Sequence, residues 1–393
     1  MARGNPVSAG VSWTAVIALE IVFWVCAALL VWTHLGYSLF VAALARVRAR
    51  PVRRAEVTPS VTLIVAAHDE AEAIEGTLTG LLALDYPVQQ LSIVVASDAS
   101  TDGTDAIVER VAALSPQVSL LRCPRSGKVA AQDRAVAASR SEVVAFSDAN
   151  GLWEPDALRR LVANFADPDV AYACGNVRLR RADGTNQEGL YWRYELWLRN
   201  NEARIGSITA GNGGIYAVRR SDYIPSPDGR SGHDLGFPYQ LVQRGRRAVS
   251  DDSAIAWEKP ATDTEDEYQR KVRMSARCWQ HVASGRMFRG GGPLFLLEVV
   301  SHRLLRYGSG ILHVLLLVTA AVLAAEGRLL YEVMLALQLL WLALALAGRL
   351  HIRVPLAGLS WYYLVITWST LAGLTRFVLH GVPVVWEQAE GTR

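Results

Sequence analysis

The stretch Ser147-Asp148-Ala149-Asn150 closes an apolar run, Val143 to Phe146, with an acid and an amide two residues apart. A turn would use such residues. So would a divalent cation, because hard cations take oxygen ligands. The metal reading needs more acids at the same place, and two other apolar runs end in kind. VTLIVAA runs into His68-Asp69-Glu70, and LSIVVAS runs into Asp98-Ala99-Ser100 and on to Thr101-Asp102-Gly103-Thr104. Turn and N-cap preferences account for any one of these. Three at one edge predict a pocket with acids on its floor. Lys128, after Ser126-Gly127, opens a helical stretch and supplies a cation where a diphosphate could lie.

These residues need a sheet to align them. Between residues 60 and 260, short β-branched runs alternate with helical stretches: VTLIVAAH, LSIVVASD, VSLLRC and EVVAFSDA are each followed by a segment of helical character. The alternation predicts an α/β domain whose parallel sheet is flanked by helices. Ligands bind beyond the carboxyl ends of such strands, where the acids stand. No GxGxxG follows the first run, which argues against a dinucleotide fold. Ser126-Gly127-Lys128 is not a phosphate loop either. The first glycine of that motif would fall at Arg122, and Val129 replaces the Ser or Thr.

Composition adds a membrane. The chain has 393 residues, of which 51% are hydrophobic, yet 20% are charged, so the charge must be unevenly placed. Residues 13–46 are long and apolar enough to span a bilayer. The basic residues Arg46, Arg48, Arg50, Arg53 and Arg54 follow that segment, which predicts a cytoplasmic side from residue 46 onward. Residues 309–325, 329–347 and 361–380 read as three more spans, and 294–307, with His302, Arg303 and Arg306, reads as an amphipathic helix at the interface. The predicted domains are therefore 1–54, a span with its basic flank; 55–290, a cytoplasmic catalytic domain; and 291–393, an interfacial helix with about three spans. A net charge of +3 is too small to imply nucleic acid, and the four cysteines form no CxxC pair.

Seven segments occur in order: VTLIVAAHDEAEAI, IVVASDASTDGT, PRSGKVAAQDRAV, VVAFSDAN, TAGNGGIYAVRR, GHDLGFPYQLVQRG and YQRKVRM. Together they resemble the membrane-bound family-2 glycosyltransferases, which include hyaluronan, chitin and cellulose synthases and many bacterial exopolysaccharide enzymes. The resemblance implies a GT-A fold and a nucleotide-sugar donor, commonly UDP-linked, whose sugar passes with inversion to a saccharide or lipid-linked acceptor at the inner or plasma membrane. It implies Mg2+ or Mn2+ held by Asp148 and Asn150. It implies that Asp98 reads the base, that Asp69 and Glu70 lie near the nucleotide, and that Lys128 lies near the diphosphate. Gly211-Asn212-Gly213-Gly214 would line the sugar and acceptor cleft, Asp234 would be the catalytic base, and Arg270 and Arg273 would face the diphosphate and acceptor. Such roles suit the chemistry. A leaving diphosphate needs neutralising charge, and a positioned carboxylate that takes the acceptor's proton is worth roughly 10²–10⁴-fold.

Each role has a plainer alternative. Asp234 could be only a helix cap. Arg270, Arg273 and Arg277 could be a solvated face paired with Glu265 and Glu267. His233 reads as an exposed first-turn histidine, and Tyr191, Trp192, Tyr194 and Trp197 as an aromatic packing stripe. The chain also departs from the family pattern: Asn150 stands for the second Asp of the metal motif, His233 precedes Asp234, and Arg270 and Met274 replace Gln and Trp around Arg273. Those departures keep two further readings in view, transfer of a single sugar to a lipid acceptor and a non-catalytic nucleotide-sugar-binding subunit.

Overall fold

The computed structural model describes residues 12–179, 190–226, 232–258 and 264–383. The segment 384–393, most of the tail VPVVWEQAEGTR, and the side chains of Glu265 and Glu267 lie outside the described residues. Eight strands make one sheet: β1 (Val61–Ala67), β2 (Leu91–Asp98), β3 (Val118–Cys123), β4 (Val143–Asp148), β5 (Leu152–Trp153), β6 (Val170–Leu179), β7 (Ile215–Arg219) and β8 (Arg247–Glu258). Their order is β3-β2-β1-β4-β7-β6-β8-β5. The first half is the expected parallel sheet, with β1 and β4 almost fully buried, as strands covered on both faces must be. The second half departs from it: β7 runs antiparallel to both β4 and β6, while β8 is parallel to β6. The cause is local. β7 pairs its first residue, Ile215, with Ser147 near the end of β4, so it starts at the acidic edge and must run away from it.

The register lines the strand ends up. Ala66 lies opposite Asp148, Ala67 opposite Ser97, and Asp98 opposite Cys123. The helices of this block are α2 (Ile74–Leu82), α3 (Thr104–Leu114), α4 (Lys128–Ala138), α5 (Ala157–Ala163), α6 (Leu190–Ile205), α7 (His233–Gln243) and α8 (Thr264–Ser284). A single core of buried side chains joins the sheet to these helices, with Phe146, Leu158, Tyr172 and Tyr216 among the largest.

Five helices flank this block in sequence: α1 (Trp13–Val47), with a π turn at Trp32–Gly36; α9 (Gly292–Tyr307), π-wound at Val299–Leu304; α10 (Ser309–Ala325); α11 (Leu329–Arg349); and α12 (Ala357–His380). Among the described residues, α1 and α11 are long and apolar enough to cross a membrane, and a third span results if α9 and α10, bent by 61°, count as one. Their outward faces carry Ile17, Ile21, Val25, Leu337, Leu340 and Leu346, exposed to no protein. The expected span at 361–380 is a helix but falls short in apolarity. The helix is nevertheless well placed, because α12 is clamped to α8. Trp279 Nε1 donates to Thr370 O at 2.9 Å. Gly373 sits so close that a Cβ there would lie 2.5 Å from Ser275 Cβ.

The basic flank gains a structural role, and one further expectation changes. The basic flank after α1 is a strap onto the sheet block, with Arg50 on Asp169 (2.7 Å), Arg53 on Asp167 (3.7 Å) and Arg54 on Asp251 (3.3 Å). Segment 294–307 does not present its basic residues at a surface, because His302, Arg303 and Arg306 are all buried. They face two acids of α6. Arg306 pairs with Glu195. His302 Nδ1 lies 2.6 Å from Glu202, which also accepts from the Tyr37 hydroxyl of α1 (2.7 Å) and from Thr209 N and Oγ1 (3.3 and 3.1 Å). Arg303 Nε in turn donates to Thr209 Oγ1 at 2.9 Å.

Removing one partner of a buried ion pair leaves the other charge uncompensated, at about 3–5 kcal/mol. Glu202→Ala is therefore expected to lower the stability of the detergent-solubilised protein by that order, and its unfolding midpoint with it. Glu202→Gln, which still accepts hydrogen bonds, should cost less. Equal midpoints for wild type and Glu202→Ala in a thermal melt would contradict the buried network.

Candidate active site

The acidic edge is built from loops that hold each other. Asp69 (φ 54°) and Ala99 (φ 58°) follow the ends of β1 and β2 in the left-handed region. That region is unfavourable for a residue with a Cβ, and such strain persists only where surrounding contacts enforce it. The contacts are present. Asp69 Oδ1 accepts from Thr101 N at 2.7 Å, Glu70 N donates to Thr104 Oγ1 at 2.8 Å, and His68 Nδ1 lies 2.9 Å from Asp98 O. Asp98 is 1% exposed. Its carboxylate takes Arg125 Nη1 (2.6 Å), Ser126 N (2.7 Å) and Gly127 N (3.0 Å). Asp98 thus anchors the loop that presents Lys128, while Asp69 ties its own loop to residue 101.

Lys128 and Asp148 form an ion pair at the centre of the edge. Burial opposes the charge on Lys128, but Asp148, with Asp234 and Glu258 behind it, outweighs burial and raises the lysine pKa. Gly151 N donates to Asp148 O at 3.1 Å, closing the turn that carries Asn150. Asp234 occupies the first turn of α7 and is pinned to the glycine segment, since Gly211 N donates to Asp234 O at 2.7 Å. A Cβ at Gly213 would lie 3.9 Å from Asp234 Oδ2, so this segment forms the wall beside that carboxylate. Two of the glycines are sterically required. A Cβ at Gly211 would meet the Tyr172 hydroxyl at 1.9 Å, and one at Gly214 would meet Glu258 Oε1 at 2.4 Å.

Glu258, the last residue of β8, has no place in the sequence reading. Its pKa is pushed up to about 7, first by burial and then by the negative charge of Asp148, with Arg270 and Lys128 pulling the other way. No motif marks this acid; it ends a strand whose position in the sheet could not be read from the sequence. Lys128, Asp148, Asp234, Glu258, Arg270 and residues 211–214 therefore gather at one place. Arg273 lies on the same half-buried stretch of α8 as Arg270, and Arg277 beyond it is exposed.

His233 is not the exposed histidine expected. It is 4% exposed, stacks on Phe237 at 4.4 Å, and lies 2.8 Å from the Tyr216 hydroxyl through Nδ1. Burial lowers its pKa against the pull of Asp133. An aromatic cluster of Phe146, Tyr216, Tyr223 and Phe237 needs a flat partner there, and His233 supplies it. Tyr191 and Tyr194 of α6 pack, while Trp197 is exposed. Tyr191 meets Tyr362 at 5.8 Å, and Arg306 lies over the rings of Tyr191 and Tyr194.

Residues 62–224 match the profile of glycosyl transferase family 2. The chain carries a family-2 glycosyltransferase domain. A beta-monoglucosyldiacylglycerol synthase of Synechocystis sp. is 31% identical over 233 residues, 54% of this chain and 47% of that protein. A poly-beta-1,6-N-acetyl-D-glucosamine synthase of Staphylococcus aureus is 22% identical over 226 residues, 56% of this chain and 50% of that one. The chain thus spans about half the length of the curated relatives it matches. A mannosyltransferase from Pyrobaculum calidifontis, solved with GDP-Man and Mn2+, aligns with a TM-score of 0.72 over 92% of this chain and 99% of that one, at 24% identity. The fold is GT-A.

The donor set suits a hard cation only in part. Asp148, Asn150 and Glu258 all offer oxygen ligands. Yet among the described residues no three His, Cys, Asp or Glu side chains come close enough to share one ion. A nucleotide diphosphate would have to complete the coordination.

Glu258 also generates a pH prediction. Its folded pKa, about 7, lies above the ordinary glutamate value of 4.5. The folded state therefore binds the extra proton between those values, and stability falls as pH rises from about 4.5 to about 7. Subtracting the pH profile of Glu258→Gln from that of wild type, in unfolding experiments without donor, should reveal that downward slope. Parallel profiles would refute the assignment.

Proposed function

We propose that this protein is an inverting glycosyltransferase that moves a sugar from a nucleotide diphosphate donor, UDP-linked, to a saccharide or lipid-linked acceptor at a membrane face. The observation that carries the proposal is the convergence of Lys128, Asp148, Arg270 and Asp234 on one sheet edge, with the glycine wall 211–214 beside Asp234. The names of the family-2 relatives, one a glycolipid synthase and one a polysaccharide synthase, support both acceptor classes.

In this reading the donor diphosphate lies at Lys128 and the loop above Asp98, with Asp69 and Glu70 shaping the nucleotide end. Asp148, assisted by Asn150, holds Mg2+ or Mn2+, which when bound adds positive charge where the diphosphate departs. Lys128 and Arg270, with Arg273, stabilise the leaving phosphates electrostatically. Asp234 accepts the proton of the acceptor hydroxyl as its oxygen attacks the anomeric carbon opposite the leaving group, which inverts that centre. Gly213 leaves the backbone beside Asp234 open to the sugar, while a Cβ at Gly211 or Gly214 would meet Tyr172 or Glu258. The ion pair between Lys128 and Asp148 keeps both groups oriented until donor arrives.

The clamp between α8 and α12 favours an acceptor presented at the membrane, because the helix bearing Arg270 and Arg273 is fixed to the helical region that flanks α11. The sheet domain, about residues 55–290, would then face the cytoplasm, with the remaining segments in the inner or plasma membrane. Transfer of one sugar to a lipid acceptor gains support from Met274, which is half exposed on α8 where polymerising synthases carry Trp.

With membranes supplied with a panel of labelled nucleotide sugars and Mn2+ or Mg2+, wild type should release nucleotide and form a single glycolipid band. Asp148→Ala should abolish transfer, and Asn150→Asp should be tolerated. Asp234→Asn should lower kcat by roughly 10²–10⁴-fold with donor binding retained. A wild type that binds UDP but neither transfers nor hydrolyses any donor would overturn the enzymatic reading, and a product ladder would replace single transfer with polymer synthesis.

A further inference from the structure

Glu195, Arg199 and Glu202 stand four and three residues apart on α6 and so share a face. Both acids are matched from α9, Glu195 by Arg306 and Glu202 by His302. Arg199 between them is 6% exposed, and its Nε and Nη1 are buried without a hydrogen-bond partner. No carboxylate among the described residues lies within ion-pair distance of it. Its guanidinium sits over the Trp192 ring, 5.8 Å from the centroid, and its charge acts on the Tyr172 hydroxyl and the Cys174 thiol. A neutral hydroxyl and a neutral thiol do not compensate a full buried charge.

The place of this cation matters. The Tyr172 hydroxyl stands against Gly211, whose N–H donates to Asp234 O at 2.7 Å, and the backbone of Asn212 reaches the same Tyr172 and Cys174 side chains. Asn212 Nδ2 is itself buried without a partner, and the Tyr172 hydroxyl has no side-chain partner beyond the Asn212 backbone beside it. Buried polar atoms in folded proteins nearly always find a partner, so a group of them around one wall of a cleft calls for one. A sugar hydroxyl would satisfy a hydrogen bond but leave the charge of Arg199 uncompensated. An anion satisfies both, by charge-assisted hydrogen bonds. The donor diphosphate already has Lys128 and Arg270, so the second anion belongs to the acceptor.

We propose that Arg199, with the Tyr172 hydroxyl and the Asn212 amide, binds an anionic group of the acceptor, a phosphate or a carboxylate, behind the glycine wall beside Asp234. The proposal rests on reading that cleft as the acceptor site of a glycosyltransferase. The two sources of such an anion are a lipid phosphate and a uronic acid on a saccharide.

Equilibrium binding to the full chain in detergent tests it without needing turnover. The probes are farnesyl phosphate against farnesol, and a glucuronate-terminated disaccharide against its glucose-terminated counterpart. Wild type should prefer one anionic probe to its neutral counterpart by about tenfold or more, and which pair discriminates names the source. Arg199→Met should remove that preference, while Arg199→Lys should keep most of it. Equal binding within both pairs, no binding of either anionic probe, or undiminished preference in Arg199→Met would each overturn the proposal. If Arg199→Met does not fold, the wild-type preference and its retention in Arg199→Lys decide. A protein that discriminates the anion yet turns over no nucleotide sugar would sink the transfer reading alone. One that transfers sugar equally well to the neutral probes would sink only the anion site.

Discussion

One fully buried carboxylate holds the two ends of this chain to its middle. Glu202 takes hydrogen bonds from Tyr37 of α1, from Thr209 at the start of the glycine segment, and from His302 of α9. An ionised group so buried is stable only when its lone pairs are filled by well-placed donors, so all these elements must arrive in register. The consequence reaches the cleft. Thr209 is two residues from Gly211, and Gly211 fixes the backbone of Asp234. Helices on either side of the sheet domain, whose contact residues lie 165 and 100 residues from Glu202 in sequence, therefore set where the candidate base stands. In a shared network of this kind a shift of one helix is felt by all its partners.

The cleft itself is organised by charge that is deliberately unbalanced in two places. At the donor side, Lys128 is surrounded by Asp148, Asp234 and Glu258, so its positive charge is secured even though burial disfavours it. Glu258 has the reverse situation, crowded by Asp148 and raised toward neutrality. An arriving diphosphate with its cation would redistribute both, drawing Lys128 to phosphate and leaving Asp148 to metal. At the opposite wall Arg199 is a buried cation whose Nε and Nη1 have no hydrogen-bond partner and with which no acid among the described residues pairs. The two imbalances differ in sign of what they lack, which is what the proposed donor and acceptor roles would ask of the two walls.

The legible parts of this molecule were those governed by local pattern. Alternating β-branched runs and helical stretches located β1 to β4 and the acids at their ends, because a parallel strand buried on both faces leaves a continuous apolar signature. The ends lined up because parallel register is regular. The antiparallel turn of β7 was not legible: five residues, Ile215–Arg219, carry no direction in their pattern. Glu258 was hidden for the same reason, since nothing in its neighbourhood states which strand it will lie beside. His233 and the basic residues of α9 were misplaced because composition assigns polar residues to surfaces, whereas here each finds a buried partner. Hydropathy likewise saw the apolar residues of 361–380 but not that Thr370 and Gly373 are committed to α8.

That last contact has a consequence for how the acceptor reaches the cleft. Gly373 admits the backbone of α8 at a separation that any side chain would prevent, and Trp279 locks the pair with a hydrogen bond to Thr370. Lys271 lies over the ring of Tyr362 on the same seam, and Tyr362 meets Tyr191 of α6. So α6, α8 and α12 meet at one corner, with Arg270 and Arg273 on one of its members and Arg199 on another. On the proposed reading, an acceptor that brings a hydroxyl to Asp234 would come along that corner, from the side of the apolar helices.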